Sequence, residues 1–383
     1  MDLNFLSGGY REPAECIIKV GASGEEISDL YAFLVDVNIQ TSRGEAATAT
    51  LNFESRRDET GRWSVQDAGI LKDWEPVVIE AAFGNVTEEI MRGYIRQVSA
   101  DYPETGVATV TVECQDSSIA LDRLQRRRSW GGDAPTSDAE ILNEILGRYP
   151  DLSPYSQNGV TNGTGQTGLV INQDATDISF LRERAQANGY ELIFVQGMVY
   201  FGPWRVDATP QSTIMVYAGP ATNCNSFKTT SDGHQPDTVR IEAAEPVGEG
   251  VIQEPVTSNL PLMGSEPADS TSSGLDEFAW TMNRVGGNDQ EILTAAAQNK
   301  ANELAMKIKA EGELDGSLYG HVLRVGEPVG VDGVGDWLGG IYYVDAVAHQ
   351  FNFDGYVQQF RLLRNAYGDN LDSGVGSVLA GII

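Results

Sequence analysis

Thiol and imidazole chemistry has little to work with in this chain. It holds three cysteines, Cys16, Cys114 and Cys224, and three histidines, His234, His321 and His349, in 383 residues. The cysteines are far apart, odd in number and without CxxC spacing, the pattern of core thiols rather than of a redox pair. The histidines form no HExxH and no closely spaced pair, so a zinc enzyme is not expected. Carboxylates are abundant, with Asp+Glu 55, and neighbours such as Glu25 and Glu26, Glu88 and Glu89, or Glu311, Glu313 and Asp315 arise by chance at that density. A glycosidase needs two carboxylates at a defined separation across a cleft, which sequence spacing does not supply. Gly163-x-Gly165 and the glycine-rich 330–340 stretch lack the lysine of a phosphate loop. Asp332, Asp336 and Asn352 do not fit a calcium loop, and Ser153 and Ser226 lack a nucleophile elbow. The expectation is no catalytic residue, no metal and no cofactor.

Cations are the rarer commodity. Lys+Arg 26 against Asp+Glu 55 gives a net charge of -29. Against that background Arg123, Arg126, Arg127 and Arg128, followed by Trp130, form the candidate assembly contacts. One reading is a basic rim that docks an acidic subunit or tail segment, since guanidinium pairs bidentately with carboxylate. The other is a solvated helix end that offsets the chain's own acids. Trp130 and Trp204 serve either as contact anchors or as core filling. So negative a field opposes a duplex-binding surface, and no specific nucleic-acid binding is expected. No run approaches the ~18 apolar residues of a membrane-spanning helix. The start, MDLNFLSGGYREP, does not read as a signal peptide.

A strand-rich chain must position these residues. Short apolar or alternating runs at 14–20, 30–39, 47–53, 75–83, 90–98 and 107–114 read as strands, frequent enough for a barrel or sandwich. A short helix over 117–124 leads into the arginines. A capped helix follows near Thr136 or Ser137, with Ile141, Leu142, Ile145 and Leu146 as its apolar stripe. Residues 174–188 give a second helix, stopped by Asn188-Gly189, then a hairpin around Gln196-Gly197. The Pro-rich 245–274 segment reads as a crossing loop, 289–309 as a helix, and 321–325, 340–348 and 356–363 as strands. The resulting division is 1–125 as a first β domain, 126–245 as an α+β insertion, 246–288 as a crossing region, 289–368 as a second β domain with a leading helix, and 369–383 as a tail.

Four stretches together carry a family resemblance: 74–124 (WEPVVIEAAFGNVTEEIMRGYIRQVSADYPETGVATVTVECQDSSIALDRL), 171–201 (INQDATDISFLRERAQANGYELIFVQGMVYF), the alanine-rich helix 292–308, and 339–365 (GGIYYVDAVAHQFNFDGYVQQFRLLRN). The second is the most specific, with Asp177, Phe180, Leu181, Gly189 and Tyr190 in an Asp-x-x-Phe-Leu, helix, Gly-Tyr, hairpin order. In the fourth, His349, Gly355 and Tyr356 stand at a strand ending near His followed by Gly-Tyr. The chain resembles the phage late control gene D proteins, the baseplate hub family of contractile tails and related injection systems, and the hub part of type VI secretion spike proteins.

That resemblance implies a mainly β fold with an α+β insertion, two tube-like β-barrel domains per subunit and a trimeric ring. It implies a structural role without catalysis, the homotrimer connecting a sixfold tail tube to a threefold spike. The implied partners are the central spike protein and the inner tail-tube protein, with wedge and tape-measure proteins as further contacts. The implied location is a virion tail baseplate or equivalent injection particle, assembled in the host cytoplasm. The chain stops shortly after the last hub-like strand, which leaves no room for the downstream OB-fold and needle of the secretion spikes. A tail-associated cell-wall hydrolase and a receptor- or carbohydrate-binding tail module are the alternatives. The acidity fits a lumen that repels DNA, or adaptation to concentrated salt, the latter supported by only six lysines among 26 basic residues.

Overall fold

Residues that alternate in polarity alternate in burial, and that builds the largest element of the molecule. In this computed structural model, which describes residues 13–131, 137–155, 170–244, 251–269, 274–283 and 290–371, Thr48–Ser55 buries every second side chain, including Leu51 and Phe53. Ala108–Asp116 does the same with Val110, Val112 and Cys114. These strands belong to a 13-stranded sheet that takes strands from both ends of the chain.

Gly340–Asn352 joins the halves. On one side its residues 343–352 pair with Gly355–Arg364. On the other its first part pairs with Pro328–Asp332, and its later part, 346–351, pairs with Leu34–Ser42. From there the sheet continues through Thr48–Ser55, Ala108–Asp116, Val86–Asp101, Pro76–Phe83 and Glu15–Val20 to the two-residue strand Glu25–Glu26. In the other direction it runs through Ile308–Asp315 to Cys224–Ser231.

The expectation of two closed tube-like barrels is corrected here. The sheet is one open half-barrel, curled through 185° with its edges 30 Å apart. Period-two alternation reports that a strand has one dry face; whether a sheet closes depends on which edges pair, and alternation is silent on that. Among the described residues, two large apolar cores line this sheet. One centres on Ile18, Val37, Leu51, Phe53, Ile79 and Val112. The other centres on Ile214, Ala310, Val331, Tyr342, Phe360 and Leu362. The mainly β character with helical insertions stands.

A third core lies in the α+β segment. Ser137 caps helix Asp138–Leu146 through a capping box with Glu140. Helix Asp177–Asn188 is capped by Thr176 and ends at Gly189, φ 65. The following hairpin, Glu191–Val195 with Met198–Gly202, turns at Gln196 and Gly197 with φ 52 and 74, both left-handed as a tight hairpin turn requires. Arg184 grips Asp138 bidentately at 2.7 and 2.9 Å, tying the two helices together.

Other segments depart from the sequence reading. Ser117–Asp122 is a 3-10 turn with Arg123 at its C-cap, and Arg126, Arg127 and Arg128 lie on strand Gln125–Trp130 rather than at a helix end. The segment read as a crossing loop contains strand Val251–Val256, which pairs with Thr238–Ala244. The helix read over 289–309 is Gln290–Leu304, and Ile308 already begins a strand. Residues 372–383 of the tail, and 246–250, 270–273 and 284–288 of the crossing region, lie outside the described residues.

Candidate assembly surface

The arginine strand pairs antiparallel with Ile171–Thr176, which brings its cations against the acids flanking the second helix. Arg126 Nε donates to Asp177 at 3.1 Å, and Arg127 Nε donates to Asp174 at 3.0 Å. Arg128 pairs with Glu144 and lies 3.9 Å over the ring of Trp130. Arg123 stacks 4.3 Å over Trp74. Trp130 is buried, stacked on Phe180, and donates its indole N–H to Gln173. Arg126, Arg127 and Arg128 therefore each meet a carboxylate of their own chain, while Arg127 remains 85% exposed.

Asp177 is the centre of this arrangement and is fully buried. It accepts from Arg126, from Arg148 at 3.3 Å, from the Tyr149 hydroxyl at 2.8 Å and from Gln173 Nε2 at 2.7 Å. A buried carboxylate is tolerated when its lone pairs are filled in this way. Phe180 and Leu181 follow on the same helix and fill the third core. Gly189 closes the helix where a Cβ would stand 1.8 Å from Asn299 Oδ1, so it answers both a left-handed φ and a close approach. Tyr190 packs edge-on to Phe201 at 5.5 Å.

The residues of the fourth stretch sit in the sheet. His349 is buried, with Nδ1 2.9 Å from the Tyr356 hydroxyl. Burial, with a smaller push from Arg324, holds its pKa down to about 3, so the imidazole is neutral. Tyr356 stacks on Phe351 at 4.0 Å. Gly355, φ 121, follows the two-residue turn at Phe353 and Asp354.

A second charged node escaped the sequence reading. Arg43, just past strand Leu34–Ser42, donates to Glu191 at 2.8 Å and to Asp345 at 2.9 Å. Its guanidinium lies 3.8 Å over Trp204. Arg361 also pairs with Asp345, and the Tyr343 hydroxyl donates to Glu191 at 2.6 Å. Burial alone would lower the Arg43 pKa, but Glu191 and Asp345 outweigh it and raise it, so the cation is secured. This node fastens the α+β segment to the sheet where its two halves meet. No local signal could have found it, because its partners are 148 and 302 positions from Arg43. Beside it opens a cleft of 850 Å³ lined by Arg182, Tyr190, Leu192, Phe194, Trp204 and Asn299 among others.

Among the described residues, no group of three or more His, Cys, Asp or Glu could hold a metal ion. No helix of the described residues is long and apolar enough to cross a membrane.

Known proteins place the fold. A family model described as the Alg8 N-terminal domain matches residues 14–352. No curated protein matches the chain. Among solved structures, the 43 kDa tail protein of prophage MuSo2 from Shewanella oneidensis is 14% identical, covering 92% of this chain and 98% of that one with a TM-score of 0.67. A tail protein from Neisseria meningitidis MC58 is 12% identical over 91% and 96%, TM-score 0.62. The E. coli c3393 protein, described as a component of the type VI secretion system with structural similarity to T4 bacteriophage tail proteins gp27 and gp5, is 10% identical over 88% and 75%, TM-score 0.53. At these identities the likeness is one of fold, and it agrees with the family resemblance read from the sequence, though not with the two closed barrels that resemblance implied.

Proposed function

This chain belongs to the family of the Alg8 N-terminal domain, and we propose, on the likeness of its fold, that it is a structural baseplate hub protein of a contractile phage tail or related injection system. The observation that carries the reading is a likeness of fold running nearly end to end in both this chain and a prophage tail protein. In this reading three copies associate and connect a sixfold tail tube to a threefold central spike. The spike protein and inner tail-tube protein are its partners, wedge and tape-measure proteins touch it further out, and the particle assembles in the host cytoplasm. Unpaired sheet edges 30 Å apart support a role among neighbours, since open edges present backbone donors and acceptors that other chains cover.

The test is the mass and low-resolution image of the purified chain with its spike protein. A trimer that enters a spike complex is the expected result. A monomer that never does so, or cleavage of peptidoglycan by the purified chain, overturns the reading. The contact role proposed for Arg123, Arg126, Arg127, Arg128 and Trp130 has its own check. Serine at 126, 127 and 128 together is expected to weaken assembly more than it lowers the monomer's melting temperature. An equal loss of monomer stability assigns those arginines to the intrachain pairs.

A further inference from the structure

One rim of the sheet lies away from the α+β segment, and register defines it. Leu34 stands opposite Phe53, Ser55 opposite Ala108, Asp101 opposite Thr109, and Val37 opposite Phe351. The strand ends at this rim carry three turns, residues 56–64, 102–107 and 353–354. The other ends of the same strands approach the Arg43 node. The bare rim exposes Phe353 at 89% and Tyr102 at 52%, and Trp63 packs edge-on to Tyr102 at 5.0 Å.

The same rim holds cations that are oriented but not neutralised. Arg56, Arg57 and Arg62 are all exposed. Arg57 Nε donates to the Gly61 carbonyl at 2.8 Å, and Arg62 Nη2 donates to the Asp67 carbonyl at 3.0 Å. Among the described residues neither has a carboxylate within ion-pair distance, and Arg56 has only Glu54, at 4.0 Å. Asp58 and Asp67 give side-chain oxygens to hairpin backbone N–H groups of Thr60, Arg62 and Trp63. This differs from Arg126, Arg127 and Arg128, each of which meets a carboxylate.

The complement is at the end of the same sheet. Among the described residues, strand Glu25–Glu26 is terminal and pairs only with Lys19 and Val20. Glu25, Glu26 and Asp29 are exposed, and the nearby Lys19 ammonium is already held by Glu80 at 2.7 Å. We propose that the Arg-rich hairpin 56–64, with Tyr102 and Phe353 beside it, docks on the acidic sheet edge at Glu25, Glu26 and Asp29 of a second copy of this chain.

Arginine, tryptophan and tyrosine are the residue types that carry interface energy, and the contact is head-to-tail, because the two patches differ. Complementarity of individual groups selects the occupant: the hairpin offers guanidiniums whose hydrogen bonds go to carbonyls rather than carboxylates, and a second copy offers exposed carboxylates whose nearest ammonium, Lys19, is already held by Glu80. The inference rests on the assembly reading for bringing copies together.

Sedimentation of the purified full chain tests it, at about 0.05 M and about 1 M salt. The expected result is association that salt weakens, and that Arg57→Ser/Arg62→Ser or Glu25→Gln/Glu26→Gln each weakens about tenfold or more. The two pairs combined should add little beyond either alone, because they share one contact. Arg57→Lys/Arg62→Lys, which keeps the charge, should retain part of it. Mixing Arg57→Glu/Arg62→Glu with Glu25→Lys/Glu26→Lys should restore association that each lacks alone, which also guards against a hairpin merely misfolded by serine. Association unchanged in all variants overturns the inference and leaves the assembly reading standing. A wild-type chain that stays monomeric overturns both. Loss of binding to a single-stranded oligonucleotide, with self-association intact, overturns it in favour of a nucleic-acid contact.

Discussion

At the scale of single residues, the groups that looked chemical serve the fold, and each can be weighed. His349 is neutral in the folded chain, with its pKa lowered to about 3, whereas the unfolded chain titrates near the ordinary value of 6.5. Between those values the unfolded state binds the proton first, so stability falls as pH drops below about 6.5. By pH 5 this group alone is expected to remove on the order of 2 kcal/mol. Urea unfolding at pH 7 and pH 5 should show that loss in the wild type and a correspondingly smaller one in His349→Gln; equal losses would contradict the assignment. Arg126 and Arg127 make a second pair of opposites. Arg126→Ser strips one donor from buried Asp177, which keeps Arg148, Tyr149 and Gln173. With Arg126 itself a third exposed, the cost is expected at about 1–2 kcal/mol. Arg127→Ser, on a side chain open to solvent, should leave the melting temperature where it was.

Among elements, the Arg43 node decides how the α+β segment sits on the sheet. Removing Arg43 leaves Glu191 buried without its cation, so Arg43→Ala and Glu191→Gln should not add. A double-mutant cycle is expected to return a coupling of about 1–3 kcal/mol, and additivity would deny the node its role. Gly189→Ala should cost more than about 1 kcal/mol, from the left-handed φ and the approach of Asn299. Asn299→Ala in the same chain should recover the second part only. The helices and hairpin around these residues were legible in the sequence, because their signals are local. Ser137 reads Glu140, Asn188 reads Gly189, and Gln196 reads Gly197, each within a few positions. The curl of the sheet and the Arg43 node were not legible, because both depend on which distant segments meet. The arginines at 126–128 stood out by composition, while their strand geometry and Asp177 partner came from pairing across more than 40 positions. The unneutralised arginines at 57 and 62 drew no notice, since nothing in their spacing tells a paired cation from an open one.

For the whole molecule, charge should act in two opposed ways. A chain of net charge -29 repels itself, and salt screens that repulsion. If the acidity is an adaptation to concentrated salt, the monomer's melting temperature should rise from low to molar salt, and a flat profile argues against it. The copy-to-copy contact proposed above should weaken over the same range, so the two effects separate in one titration. The strand shared by both halves also sets a timetable. Strand Leu34–Ser42 has Thr48–Ser55 on one side from early on, but on the other side residues 37–42 pair with 346–351, so during synthesis that second edge waits open until residue 346 and its neighbours have left the ribosome. Long-range pairing of this kind is slow and exposes unpaired strands to misassociation. The seam of the finished sheet is thus a late step in making it, and the open edge of strand Leu34–Ser42 is in need of protection until residue 346 appears.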